Sequence, residues 1–266
     1  MSKNTGKRAI DYVPVFDMAQ LFSTDAAAFA DFAKNQFGPL TSDNGFCRWA
    51  LTPEVRTLEE AHFEKAKKFH ALSEDIKKGF VSDAEQMGYK GLKTVAKRRK
   101  KGSVPDEKTY FMLEQGLGRA FNEVSRNVLV NKDTGKHIDD YVPGYSDSIL
   151  DLMEVREKVA KRVLEAVALY LDVPADSIAQ YVSGGKHAQR DLYYPPCQNP
   201  KKGVMRIDTH QDKGLLTLLR AENGLDVLDK QGVWHELDTQ QGEWISNGGL
   251  QLEIFSNGLY RAAPHR

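Results

Sequence analysis

His210 and Asp212, answered by His265 53 positions later, constrain the fold of this chain more than any other feature. Two histidines and one carboxylate are the ligand set that holds a non-haem Fe(II) on one face and leaves the opposite positions open. On a β-strand, residues i and i+2 point to the same side, so His210 and Asp212 are spaced to reach one ion. His265 then has to arrive on another strand, and a jelly roll is an architecture that brings such distant strands together. The spacing therefore predicts a β core around residues 210 and 265. A bare His-x-Asp match is weak by itself, because short motifs recur by chance. Its weight comes from what surrounds it.

The surroundings are strand-like only in the later part of the chain. After Pro174 the sequence gives short apolar runs punctuated by Gly, Pro and Asn, at 191–194, 215–219, 225–228, 233–237, 244–245, 250–255 and 260–262. Several short strands at this spacing read as a sandwich or jelly roll. Before Pro174 the apolar period is helical. Residues 12–18 read as a short β segment leading into a helix, and 25–37 as a helix rich in Ala and Phe. Thr57 and Glu60 fit a capping box, opening a helix that runs through Phe63, Ala66, Phe69 and Leu72. Gly88-Tyr89-Lys90-Gly91 breaks that pattern, and Lys97 to Lys101 is a basic run that reads as a solvated loop. A long helix is predicted over 146–171, with Ile149, Met153, Val159, Val163 and Val167 on one stripe. The chain thus reads as mixed α and β. A helix-rich part over 1–130 and a long joining helix over 131–180 lead to a double-stranded β-helix (jelly-roll) core over 181–266, on which the helix-rich part packs.

Composition removes several classes of partner. Lys+Arg and Asp+Glu both number 37, so the net charge is zero. That balance, with no paired aromatic platform, speaks against nucleic acid as a partner. No apolar run approaches the roughly 18 residues of a membrane span, and the basic start lacks the apolar stretch of a secretory signal. Cys47 and Cys197 are far apart and suggest no disulfide framework. The expectation is a cytoplasmic monomer with a small-molecule substrate. His62, His70, His137, His187 and His235 read as structural or solvent-exposed, not as ligands.

Longer stretches then carry a resemblance. Tyr193-Tyr194-Pro195-Pro196-Cys197, His210-Gln211-Asp212, Ser256-Asn257-Gly258 and Tyr260-Arg261-Ala262-Ala263-Pro264-His265-Arg266 resemble the isopenicillin N synthase-like branch of the Fe(II)/2-oxoglutarate-dependent oxygenases. That branch includes the plant flavonoid, gibberellin and alkaloid oxygenases. The match is specific over 190–266. In the first half it is carried by Val13-Pro14-Val15-Phe16-Asp17 and by Gly88-Tyr89. The resemblance implies Fe(II) on His210, Asp212 and His265, with 2-oxoglutarate and O2 as co-substrates. It also implies oxidation of a C–H bond of a small molecule, by hydroxylation, desaturation or ring closure, with release of succinate and CO2.

The same resemblance places Tyr194 as the phenol that grips the far carboxylate of 2-oxoglutarate, a donor suited to a carboxylate. The family's Asn two positions earlier is Leu192 here, and the Asp after its penultimate-strand glycine is Leu250. Its Arg-x-Ser anchor, the stronger bidentate partner, falls past Arg266. These departures keep two alternatives open: a member that oxidises without 2-oxoglutarate, and a catalytically silent iron-binding or interaction protein. They also set an expectation that the functional protein continues past Arg266, and that residues 1–266 alone are not a competent catalyst. On that expectation His265 sits on a fraying end.

Overall fold

The computed structural model describes residues 12–82, 86–92, 108–116, 118–182, 187–196, 206–220, 224–237 and 242–266. The basic run 97–101 and Cys197 lie outside them. Nine strands appear in the described residues: β1 (Val15–Asp17), β2 (Phe46–Ala50), β3 (Gly88–Lys90), β4 (Thr109–Glu114), β5 (Ala188–Tyr193), β6 (Leu216–Leu219), β7 (Leu225–Leu228), β8 (Trp234–Leu237) and β9 (Glu243–Gly248). The chain forms two compact units, one from 1–56, 158–183 and 209–266, the other from 57–157 and 184–208. Each draws on separated stretches, so neither coincides with one of the consecutive regions 1–130, 131–180 and 181–266.

The first unit is built on a four-stranded sheet in the order β1-β2-β9-β6. β1 runs parallel to β2, while β9 pairs antiparallel with both β2 and β6. A parallel pair needs a crossover, and the helical stretch between residues 25 and 45 supplies it. Asp25 opens that stretch by accepting the Ala27 and Ala28 N–H groups at 2.8 and 3.1 Å, a good N-cap. The helix Ala26–Asp31 widens into a π turn over Phe32–Phe37 and continues as Gly38–Asn44. The widened turn precedes Pro39, whose ring removes an N–H from the helical ladder. The helical stretch therefore extends well past Phe37, to Gly45, which closes it at φ 76°. That crossover is pinned to the sheet by rings. Phe16 packs on Phe32, Phe37 and Trp49 with centroids 5.5–5.6 Å apart. Trp49 lies opposite Trp244 in the β2–β9 register, and both are fully buried. A separate hairpin, β7–β8, completes this unit's strands among the described residues.

The second unit holds the antiparallel sheet β3-β4-β5. Phe69 is the hub of its core, 4.7 Å from Phe111, 5.4 Å from Tyr145 and 6.0 Å from Phe80 by ring centroids. Phe69 sits on the helix Pro53–Ala71 and Tyr145 begins the helix Tyr145–Tyr170. The latter starts one residue before the predicted 146.

Three expectations are corrected. Thr57 is not an N-cap, because the helix begins one turn earlier, at Pro53. Proline is pre-set for a first helical position, and Thr52 Oγ1 accepts the Val55 N–H at 3.4 Å. Residues 250–255 form a helix, not a strand. The alternation Leu250, Leu252, Ile254 does not mark two faces: Leu252 is 2% exposed and Ile254 78%. Residues 260–262 run without a ladder. In addition, β2 and β4 occupy stretches where no strand was expected, and β3 takes in most of the segment expected to be a break.

Candidate metal centre

The three sequence-predicted ligands converge in the first unit. One ligand atom each from His210, Asp212 and His265 lie within 4.8 Å of one another, and this is the one such cluster among the described residues. The backbone that delivers them is less regular than two clean strands. His210 and His265 form an isolated antiparallel bridge, exchanging N–H···O bonds of 3.0 and 2.9 Å. Residues 211–213 have no ladder of their own. On its other side His265 bridges Val227, and Arg266 and Asp226 exchange bonds of 3.0 Å. The Arg266 side chain adds an ion pair to Asp226 at 2.9 Å and lies 4.0 Å above the Trp234 ring. His265 is therefore held from two sides and is 8% exposed. The expected fraying is not observed.

Asp212 and His265 are each oriented by a second contact. His265 Nδ1 faces Ala263 O at 3.2 Å. A carbonyl only accepts, so Nδ1 carries the proton and the Nε2 lone pair points inward. Asp212 Oδ1 sits 3.9 Å from Nε2 of both His210 and His265. Its other oxygen, Oδ2, accepts Thr217 Oγ1 at 2.7 Å and Asn247 Nδ2 at 2.8 Å. The Asp212 carbonyl accepts the Leu250 N–H at 2.8 Å, and Leu215 O accepts that of Gly249 at 3.2 Å. The start of the helix Leu250–Phe255 thus holds the ligand loop. Gly249 permits it: a Cβ there would meet Gly214 O at 2.3 Å and Asp212 O at 2.9 Å. Gln211 points away from the triad and donates to Ala262 O at 2.6 Å.

Electrostatics suit a cation. Burial works to raise the Asp212 pKa, but the bonds from Asn247 and Thr217 and the two nearby imidazoles outweigh it, and the carboxyl is held below its ordinary value. Burial first, and then the neighbouring His210, push the His265 imidazole down, against the Ala263 carbonyl and Asp212. Both shifts favour the forms that bind metals, an ionised carboxylate and a neutral imidazole. His210 has the open side, with its side chain 41% exposed. Two imidazole nitrogens and one hard carboxylate oxygen, with ligand atoms this close, fit Fe(II).

Tyr194 follows β5 directly and is half-buried. It belongs to the second unit, whereas the three ligands belong to the first. Leu192, in the place of the family's Asn, packs against the second unit's apolar core. Thr217 and Asn247 were missed by sequence reasoning. Their one sequence signal, nearness to Asp212 and to the glycine pair 248–249, says nothing without the strand register.

The remaining histidines with described contacts are structural. In the second unit, His62 Nε2 lies 3.1 Å from Asp191 Oδ1, and His70 Nε2 lies 3.1 Å from Asp191 O. Gln189 and Tyr145 donate to the same carboxylate at 2.7 and 2.6 Å. Burial opposes the Asp191 charge, but His62 and these donors hold its pKa far below the carboxylate range. His62, His70 and His235 are buried, not exposed. His235 pairs with Asp229 at 2.7 Å in the β7–β8 hairpin, and His137 caps a short turn at Ile138–Asp140.

Fold and site together define a β-core protein with a candidate two-histidine, one-carboxylate metal centre. The 2OG-Fe(II) oxygenase superfamily matches this chain over residues 185–266. It is 33% identical to the 2'-deoxymugineic-acid 2'-dioxygenase of Hordeum vulgare, over 48% of this chain and 40% of that protein. It is 26% identical to the 2-oxoglutarate-Fe(II) type oxidoreductase hxnY of Emericella nidulans, over 95% and 74%. The chain spans well under half of the barley relative's length. Among solved structures, a full-length Neurospora crassa protein in complex with alpha-KG and thymine superposes with a TM-score of 0.79 at 19% identity, over 96% of this chain and 78% of that one. At that identity the likeness establishes the fold, a jelly-roll core with accompanying helices. No helix of the described residues is long and apolar enough to cross a membrane.

Proposed function

We propose that this chain is the catalytic part of an Fe(II)- and 2-oxoglutarate-dependent oxygenase, with His210, Asp212 and His265 as the metal ligands and a C–H bond of a small organic molecule as the target. The observation that carries the reading is the convergence of those three side chains within 4.8 Å. Bound there, Fe(II) would couple O2 reduction to decarboxylation of 2-oxoglutarate and oxidation of the substrate. The protein's part is to hold and orient. Ala263 O fixes the His265 tautomer, the Thr217 and Asn247 donors keep the Asp212 carboxylate ionised and aimed, and the exposed side of His210 leaves an approach for the two organic molecules. Tyr194 is assigned to the far carboxylate of 2-oxoglutarate through its hydroxyl. A small-molecule substrate is supported by the balanced charge of 37 against 37 and by the thymine held by the Neurospora protein.

The test is oxygen-dependent conversion of 2-oxoglutarate to succinate by the Fe(II)-loaded protein, stimulated by members of a panel of small heterocyclic and carboxylic substrates. Substrate oxidation without succinate would overturn the 2-oxoglutarate assignment in favour of an oxidase.

A further inference from the structure

Asp212 has two carboxylate oxygens, and only one is free to meet a metal. A carboxylate oxygen offers two lone pairs, and those of Oδ2 are taken by Thr217 Oγ1 at 2.7 Å and Asn247 Nδ2 at 2.8 Å. Oδ1 is the oxygen that faces both imidazoles, at 3.9 Å from each. A carboxylate cannot donate, so the Asn247 amide must present its nitrogen, and the Thr217 hydroxyl must point its proton at Oδ2.

The two donors are placed by the sheet. Thr217 on β6 is the register partner of Asn247 on β9, so their side chains leave the same face of the sheet side by side. Asn247 is also the register partner of Phe46 on β2. The Phe46 ring meets the His265 imidazole edge-on, with centroids 5.5 Å apart. A single row across three strands, Phe46, Asn247 and Thr217, therefore touches two of the three candidate ligands. Phe46 and Asn247 are buried at 1% and 3% exposure, and Thr217 is half-buried.

We propose that Thr217 and Asn247 are positioning residues that restrict Asp212 to one-oxygen ligation through Oδ1, so that the carboxylate occupies one coordination position of the metal and not two. This rests on the metal reading of the site. Its consequence is functional, because a co-substrate that chelates through two atoms and O2 together need every position the three ligands leave open. Losing either donor frees a lone pair on Oδ2, and the carboxylate can then turn and claim a second position.

The experiment compares wild type with Thr217→Val, which keeps the volume and removes the hydroxyl, with Asn247→Leu, and with Thr217→Ser, which restores the hydroxyl. Fe(II) affinity is measured anaerobically, and the protein is loaded with Mn(II), whose exchangeable bound waters are counted by water-proton relaxation. Metal-free melting curves check that each variant folds. Thr217→Val and Asn247→Leu should lower Fe(II) affinity by about 10–100-fold, the usual effect of deleting a partner of a metal ligand, and should lower the count of Mn(II)-bound waters, because the second carboxylate oxygen displaces one. Thr217→Ser should behave as wild type in both. Affinity loss with an unchanged water count, or no change in either, overturns the proposal while leaving the metal site standing. A wild-type protein that binds neither ion overturns the site and this proposal together. Should Asn247→Leu not fold, the Thr217 pair decides the matter alone.

Discussion

At the scale of single residues, function is concentrated in groups whose second contact matters as much as their first. His265 turns its Nε2 lone pair toward Asp212 because Ala263 O claims the proton on its far nitrogen. Tyr194, directly after β5, is assigned to 2-oxoglutarate by resemblance. Its assignment yields a specific expectation. Tyr194→Phe should raise the apparent constant for 2-oxoglutarate by roughly 10-fold or more, the weight of a hydrogen bond to a charged group, with iron content unchanged. Equilibrium binding of 2-oxoglutarate to the Fe(II)-loaded protein under anaerobic conditions checks it. An unaltered constant would return Tyr194 to a packing role. Cys47, by contrast, has no chemistry to offer: burial pushes its thiol up to about 12, leaving it protonated.

At the scale of elements, the ligand loop and the helix Leu250–Phe255 form one device. The N–H groups at 249 and 250 satisfy carbonyls of the loop that carries Asp212, and Gly249 makes the approach possible. Gly249→Ala should drive a methyl into Gly214 O and Asp212 O. We expect a loss of about 1–3 kcal/mol of stability, the cost of overpacking, together with weaker Fe(II) binding. Denaturant unfolding and metal titration of the same variant check both. A variant with wild-type stability and affinity would mean that the loop yields without consequence. These elements also mark how far the sequence could be read. β6, β7 and β8 were legible because their apolar runs are bounded by turn residues. The clustering of His210, Asp212 and His265 was legible because the types and spacing of candidate ligands can be read without knowledge of register. The helix Leu250–Phe255 was not legible, since its apolar alternation imitates a strand and its identity is set by carbonyls from residues 212 to 215. Thr217 and Asn247 were hidden for the same reason: their role exists only once β6 and β9 are in register. β2 and β4 were masked by mixed sequences, FCRWA and TYFMLE, with no clean period of two.

At the scale of the whole molecule, stability and site are partly separable, because the second unit carries its own buried polar network around Asp191. His70 within it has a pKa pushed down to about 4, chiefly by burial, with Asp191 opposing and Lys77 assisting. The sign follows from linkage. An unfolded histidine titrates at 6.5, so between 6.5 and about 4 the unfolded chain takes up a proton that the folded one refuses. Stability is full above 6.5 and falls as the pH drops to 4, by up to about 3 kcal/mol at 1.36 kcal/mol per unit. Asp191 does not contribute in that window, since its stabilisation is lost only below the ordinary carboxylate value of 3.8. Denaturant unfolding of wild type and His70→Gln at pH 7 and pH 5 isolates the effect. The wild type should lose stability between the two, and the variant should lose distinctly less. Equal losses would assign the acid sensitivity to other groups.

The central claim is that His210, Asp212 and His265 together hold one iron, and anaerobic Fe(II) titration with separate analysis of metal content tests it most directly. The wild-type protein should bind one equivalent of Fe(II), and His210→Ala and Asp212→Ala should each abolish stoichiometric binding while their metal-free unfolding transitions stay cooperative. Tight one-to-one binding retained in both variants would contradict the account at its root.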